Sequence, residues 1–327
     1  MTAPAMAGYA LKRALLILPT LLLVSLVVFA ILRVIPGDPA LLILNSGGEG
    51  GSNTRASAEQ LAALRHKLGT DRPLAVQYTS WITGILTLNA GQSFITGRSV
   101  LSEIVERVPV SAELAAMTAI VSAGIALPLG VIAATHLDTR TDYLVRFVAK
   151  AGLSLPIFWT GTLVILGLSA LFRWTPPLSY APLWEQPWEN LQQMVWPALV
   201  MGFYQMAILA SMMRASVLSV LPEPYVQTAR AKGVHERTVV TRHVVKNALL
   251  PVVTIAGLQF GSLLGGVVIL EQIFAVPGVG RLLVDAILQR DYPVVQTTVV
   301  MFAGLLVLMN LAVDLSYAWL DPRIRHG

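Results

Sequence analysis

The sequence predicts an all-α integral membrane protein with about six transmembrane helices. Three observations carry that prediction. The 327-residue chain is 55% apolar and only 13% charged, about half the charge of an ordinary soluble protein. Its apolar residues gather into uncharged runs of about 20 residues, the length a helix needs to cross roughly 30 Å of hydrocarbon. Its charges fall between those runs, and most of its Lys and Arg lie on one set of loops.

The first run is Ala14–Leu32, bracketed by Arg13 and Arg33. It is longer than a signal-peptide core and no small-residue cleavage site follows it, so it reads as a retained helix. The second run, Leu114–Thr135, follows Glu113. Ala151–Phe172 is the third, between Lys150 and Arg173, and Leu191–Met213 the fourth, ending at Arg214. Asn247–Leu270 forms the fifth and ends at Glu271; Tyr292–Val313 forms the sixth and ends at Asp314. The chain thus divides into a tail with the first helix (1–33), an insertion (34–113), a five-helix core (114–313) and a C-terminal tail (314–327).

Orientation follows from Lys and Arg in the short loops. The N-terminus, 136–150, 214–246 and the C-terminal tail together hold Lys12, Arg13, Arg140, Arg146, Lys150, Arg214, Arg230, Lys232, Arg237, Arg242, Lys246, Arg323 and Arg325. The short loops of the opposite set hold only Arg173, Arg281 and Arg290; the long segment 34–113 also carries basic residues, but long loops translocate largely regardless of charge. Both termini are therefore expected in the cytoplasm. The same rule explains the net charge of +5 without nucleic acid, and the lipid bilayer is the first partner the sequence implies.

The insertion 34–113 has an order of its own. Ser57 and Gln60 match a capping box, Leu61, Leu64 and Leu68 share one helical face, and Gly69 can end that helix. Pro73 can open a second helix whose Tyr78, Trp81, Ile82 and Ile85 form an apolar, aromatic face. Val100–Val108 forms a third amphipathic piece leading into the second span. The insertion reads either as packing decoration or as a small external cap over a pathway.

Loop 214–246 is the most informative segment. Pro222-Glu223-Pro224 breaks the chain, Pro224 suits the first position of a helix Pro224–Lys232, and Gly233 can take the left-handed conformation that ends it. Arg230 and Lys232 suit the last turn of that helix dipole. A second helix follows, with Val240, Val244 and Ala248 on one face. The residues alone admit two readings: a rigid knob offered to a cytoplasmic partner, or a solvated loop. In the fifth span Gly257, Gly261 and Gly265 repeat every four residues, a stripe for close helix packing. Tyr204, Gln205, Gln259 and Ser262 are polar residues inside spans. They are candidates for lining a pathway, with interhelical hydrogen bonding as the other role open to them.

Chemistry of other kinds is excluded. There is no cysteine, hence no disulfide or thiolate metal site. The five histidines lie outside the spans, and no two have the i, i+4 spacing of a helical metal site. Gly91–Ser99 departs from a phosphate loop in glycine spacing and carries Arg98 in place of lysine, so no nucleotide cofactor is expected in this chain. No nucleophile elbow is present.

The segment Tyr225-Val226-Gln227-Thr228-Ala229-Arg230-Ala231-Lys232-Gly233 resembles the cytoplasmic "EAA" loop of bacterial ABC importer permeases, with Gln227 and Thr228 replacing its first two residues. Asn247–Thr254 with Gly257–Gly261, Phe274–Arg281, Asp291-Tyr292-Pro293, Ile35–Pro39 and Leu320–Arg325 are similar to the dipeptide/oligopeptide/nickel branch. The resemblance covers essentially the whole chain. It implies the type I ABC importer permease fold in the bacterial cytoplasmic (inner) membrane, with residues 34–113 as a helical extracytoplasmic insertion. It also implies a homologous second permease, two cytoplasmic ATPase subunits that hold ATP and Mg, and an extracytoplasmic solute-binding protein. Cargo would be a small peptide, glutathione, a nickel chelate or a similar solute. The rival is a stand-alone secondary transporter or channel.

Overall fold

The structure is a computed structural model that describes residues 3–34, 37–46, 58–177 and 179–320. Ser57 of the expected capping box, Ile35-Pro36 and the final Asp321–Arg325 motif lie outside the described residues. The helices run α1 (Ala3–Val34), α2 (Pro39–Ser46), α3 (Ala58–Leu68), α4 (Leu74–Leu86), α5 (Val100–Thr135), α6 (Arg140–Ser154) and α7 (Ile157–Phe172). They continue with α8 (Pro187–Val220), α9 (Pro224–Ala231), α10 (Glu236–Leu258), α11 (Phe260–Ile273), α12 (Val279–Gln289) and α13 (Tyr292–Leu320). Among the described residues there is no β-strand, only an isolated bridge between Gln92 and Ser99.

Five helices are long and apolar enough to cross a membrane, and six spans result if the bent pair α6–α7 counts as one. The expected third span, Ala151–Phe172, needs correction. The chain turns by 102° between α6 and α7, so only Ile157–Phe172 continues in the apolar direction. The cause is local. Pro156 has no N–H and forces the preceding Leu155 out of the helical region, to φ −92° and ψ 126°. At about 1.5 Å per residue α7 is about 24 Å long, a short crossing. The expected fifth span, Asn247–Leu270, is corrected too. The apolar stretch begins earlier, at Glu236, passes through a π-helical segment Val239–Val244, and is interrupted at Gln259 before α11. Pro73 stands one position ahead of α4 rather than inside its first turn. The third amphipathic piece is continuous with the second span, giving α5 its 36 residues.

Two compact units emerge. One comprises Val110–Pro277 with the described residues from Leu308 onward; the other comprises the described residues up to Pro109 with Gly278–Val307.

In the first unit α8 is the central helix. In its most apolar stretch 61% of residues are buried, against 17–28% for the other four spans, so α8 is the span most enclosed by its own chain. Two apolar clusters line it. One gathers Met206, Met213 and Val217 with Val226, Ala229, Val239, Val244 and Val252. The other gathers Met194 and Met201 with Leu114, Leu263, Leu270 and Phe274. Glycines let neighbours close in: a Cβ on Gly202 would stand 2.7 Å from Val121, and one on Gly130 2.8 Å from the Ala210 carbonyl. Asp142 of α6 is fully buried and accepts two hydrogen bonds from Arg214 of α8, both 2.7 Å. Removing Arg214 would leave the buried Asp142 with only the longer ionic contact to Arg146 at 3.9 Å, which is destabilising.

The second unit is held differently. The aromatic face of α4 meets α1: Tyr78 and Trp81 surround Phe29, and the Tyr78 hydroxyl lies 2.9 Å from Ser25 Oγ. Its apolar cluster joins Val28 and Leu32 to Val100, Ile104, Leu282 and Val295. Asp291, just before α13, accepts from Ser93 Oγ and from the Phe94 N–H at 3.1 Å, tying the 91–98 turn to that helix.

Candidate functional site

The loop singled out in the sequence folds into a short, capped helix. Glu223 is extended at φ −62° and ψ 142°, Pro224 occupies the first position, and α9 runs to Ala231, one residue short of the expected end. Gly233 has φ +76°. Its N–H donates to the Arg230 carbonyl at 2.9 Å, and the Val234 N–H donates to the Ala229 carbonyl at 3.3 Å. This is a Schellman end, which needs a left-handed residue after the cap.

The two faces of α9 differ. Val226 is fully buried and Ala229 is 8% exposed; both join the cluster with Val217, Val239 and Val244. Ala229, which by its smallness invites placement against a partner, instead roots the helix in its own chain. Tyr225, Gln227, Thr228, Arg230, Ala231 and Lys232 are exposed. Asn247 donates to the Tyr225 hydroxyl at 2.8 Å, tying α9 to α10, and Gln227 donates back to the Pro222 carbonyl at 3.0 Å. Arg230 forms a two-pronged pair with Glu236 at 2.6 and 3.0 Å. Both members are well exposed, so this pair contributes at most about 1 kcal/mol and serves mainly to square the turn. The result is a firm projection with one polar face left free.

The intramembrane polar residues come together only in part. Gln205 of α8 is buried between the two apolar clusters, and its amide reaches the Gln259 carbonyl at 3.5 Å. Ser262 donates to the same carbonyl at 2.7 Å. Gln205 Oε1 and both amide atoms of Gln259 are buried with no partner. Tyr204, the fourth candidate, is half-buried and makes no contact with them among the described hydrogen bonds. The α10–α11 interruption therefore sits where a polar group of α8 meets it, a break in an otherwise apolar packing.

The glycine stripe is not carried on one helix, because Gln259 separates Gly257 from Gly261 and Gly265. Gly265 is exposed with open space around it; the expected contact there is not made within this chain. Gly266 is the buried neighbour, where a Cβ would stand 2.4 Å from Met201.

Sequence reasoning did not find two buried carboxylate contacts. Glu271, at the end of α11, is fully buried and accepts from Ser111 at 2.5 Å. Glu113 of α5 accepts from the Tyr180 hydroxyl at 2.6 Å. Burial, and then that bond, push the Tyr180 phenol well above its ordinary value, so it stays a donor. Both carboxylates were legible only as span ends, since their partners lie 160 and 67 residues away.

Residues 126–326 match the family described as binding-protein-dependent transport system inner membrane component, and residues 6–115 match its N-terminal counterpart. The chain is 39% identical over 321 residues to the glutathione transport system permease protein of Salmonella typhimurium, covering 98% of this chain and all of that one. It is 38% identical over 341 residues to the di/tripeptide transport system permease protein of Pseudomonas aeruginosa, covering 98% and 99%. To the dipeptide transport system permease protein of Alkalihalophilus pseudofirmus it is 36% identical over 341 residues, covering 98% and 100%. An amino acid ABC transporter of known crystal structure shares the fold at 13% identity and a TM-score of 0.50, over 68% of this chain and 94% of that one.

Proposed function

The chain belongs to the binding-protein-dependent transport system inner membrane component family, as a multi-pass permease subunit of an ABC importer, and from that premise we propose that it carries small peptides across the cytoplasmic membrane. A related small solute such as glutathione or a nickel chelate is the adjoining class; relatives named for dipeptide, di/tripeptide and glutathione transport support the reading. A stand-alone secondary transporter or channel is not favoured.

In this reading the permease pairs with a homologous second permease, possesses no cofactor of its own, and takes its energy from two cytoplasmic ATPase subunits that hold ATP and Mg. An extracytoplasmic solute-binding protein delivers the cargo. Both termini and the 214–246 loop face the cytoplasm, and 34–113 lies outside. The observation that carries the mechanism is α9. Its apolar face is embedded, its end is locked by Gly233, and its polar face is free. A push on Tyr225–Lys232 is therefore delivered through Val226 and Ala229 to the cluster around α8, and so to the spans. Gln205, Gln259 and Ser262, at the break beside α8, are the residues we place along the pathway, with Tyr204 near them; Gly257, Gly261 and Gly265 are offered to the second permease.

The test is reconstitution of the complex in liposomes with its binding protein. Uptake of a labelled dipeptide should require ATP and the binding protein together, and the purified permease alone should show no saturable ATP binding. Uptake of that dipeptide without ATP, or nucleotide binding by this polypeptide alone, would sink the reading.

A further inference from the structure

Helix α6 has two unlike faces. Asp142, Ala149 and Gly152 are buried on one of them. That face is fixed to α8: Asp142 accepts from Arg214 at 2.7 Å, and a Cβ on Gly152 would stand 3.2 Å from the Phe203 carbonyl. The other face is open. It carries Arg140, Tyr143, Leu144, Phe147, Lys150 and Ser154, which share a side by their spacing of three and four residues. Tyr143 is 56% exposed, Leu144 62% and Phe147 71%, an apolar patch set between two cations.

What covers this patch can be read from its charges. Arg140 and Lys150 stand at its two ends, about 15 Å apart along the axis. Both are exposed, and neither has an ion-pair partner among the described residues. Arg146 is drawn aside, its guanidinium 5.4 Å over the Tyr143 ring and 3.9 Å from Asp142. The open face carries no carboxylate; the nearest exposed one along the chain is Asp138, in the turn before the helix. A protein partner would cover apolar residues too, but protein interfaces are depleted in lysine and in charge at their centre. Aromatic rings, an aliphatic chain and unpaired cations on one helical face suit the boundary between acyl chains and head groups. The exposed apolar residues also continue past the bend, through Leu155, Phe158 and Trp159, into the span α7.

We propose that this face of α6 lies at the membrane surface and binds anionic phospholipid. Tyr143, Leu144 and Phe147 enter among the acyl chains, and Arg140 and Lys150 meet the phosphates. The apolar residues alone would accept any phospholipid; the cations make the choice of an anionic one. In the proposed orientation the lipid belongs to the cytoplasmic leaflet, whose surface potential is negative. Because the opposite face is locked to Arg214, a head group held by α6 steadies the end of α8 that leads into α9.

The experiment places a fluorophore on Ser154→Cys, which would be the chain's sole cysteine and lies one turn beyond Lys150 on the same face. The labelled full chain goes into phosphatidylcholine nanodiscs that carry a minor fraction of nitroxide-labelled phosphatidylglycerol or phosphatidylcholine. Phosphatidylglycerol should quench about fivefold more efficiently, the preference that a cation at an anionic surface gives. Arg140→Gln with Lys150→Gln should bring that ratio close to one, while Arg140→Lys with Lys150→Arg should keep it. Phe147→Ser should weaken quenching by both lipids. Salt at about 0.5 M should lower the anionic preference and leave quenching by the neutral lipid unchanged. The substituted side chains are all exposed, so the thermal midpoint should hold in each variant. Equal quenching by the two lipids in the native sequence, or a ratio indifferent to the double glutamine substitution, overturns the proposal. The measurement is then repeated on the complex that co-purifies with the chain. Quenching lost on assembly assigns the face to a protein partner and overturns the proposal too; quenching kept there, with its anionic preference, sustains it.

Discussion

Helices α3 and α9 end in the same way and are held in opposite ways. Gly69 after α3 has φ +71°, with its N–H on the His66 carbonyl and the Thr70 N–H on the Arg65 carbonyl. Gly233 after α9 repeats that pattern. Yet α3 buries none of its residues and is tied at its exposed side by the Arg65–Asp38 pair, whereas α9 sinks Val226 and Ala229 into a core. A Schellman end is a property of a few consecutive residues and appears wherever glycine follows a helix of the right length. Whether that helix can pass on a force depends on what lies under it. A helix with no buried face can shift without disturbing packing; one whose apolar side chains interlock with a core cannot, because interiors are close-packed.

The largest expected contrast concerns the two sides of the membrane. The native chain has no cysteine, so single cysteines report without background. A cysteine at Ala63 on α3 should label from outside intact cells, as should one at Gln186, and one at His235 beside α9 only after permeabilisation. External labelling at His235 would reverse the assignment of the two helices to opposite faces.

Next in size is Ala229→Glu. At 8% exposure the new carboxylate has no partner in the cluster, so the root of α9 should lose several kcal/mol. Hydrogen exchange over 224–234 should rise sharply and ATP-driven uptake should collapse, with insertion in the membrane intact. The equivalent charge on α3, at Ala62, should change little, since that residue is exposed; a comparable loss at both would erase the difference in rooting.

Gly233→Val and Gly69→Val form a matched pair. Each forces a β-branched residue to positive φ, at about 1–2 kcal/mol or somewhat more. A Cβ at Gly233 meets nothing within 4 Å, so strain rather than collision is the cause there. Because only α9 is rooted, Gly233→Val should uncouple ATP hydrolysis from uptake, while Gly69→Val should leave their ratio unchanged. Equal coupling ratios in the two variants would show that the end of α9 does not govern transmission.

The smallest effect is a pH dependence in the second unit, where Asp291 anchors the 91–98 turn. Burial pushes the Asp291 carboxyl above its ordinary value near 3.8, against the hydrogen bonds from Ser93 and Phe94 that favour its charge. A raised carboxyl favours the protonated folded form. Its contribution to stability is therefore fully present below the ordinary value and is lost as pH rises through the raised one. Protection of the Phe94 amide, taken relative to its intrinsic exchange rate at each pH, should fall across that acidic window and then level off, and Asp291→Asn should flatten the profile. An unchanged profile in the asparagine variant would remove Asp291 as its source.

Much of this protein is local and was therefore legible in the chain alone. Span count follows from apolar runs, because the bilayer leaves the backbone no partner but itself. The ends of α3 and α9 follow from Gly69 and Gly233. The bend after α6 does not: the run through Leu155-Pro156 reads as one span, and only the structure shows the turn there. The third dimension decided the rest. That Ala229 faces inward, that Gln205 meets the break at Gln259, and that Asp142 finds Arg214 depend on residues 10 to 72 positions apart being folded side by side. Hydrophobic pattern says which face of a helix is buried but not against what, and a small residue such as alanine suits a core and a partner equally well.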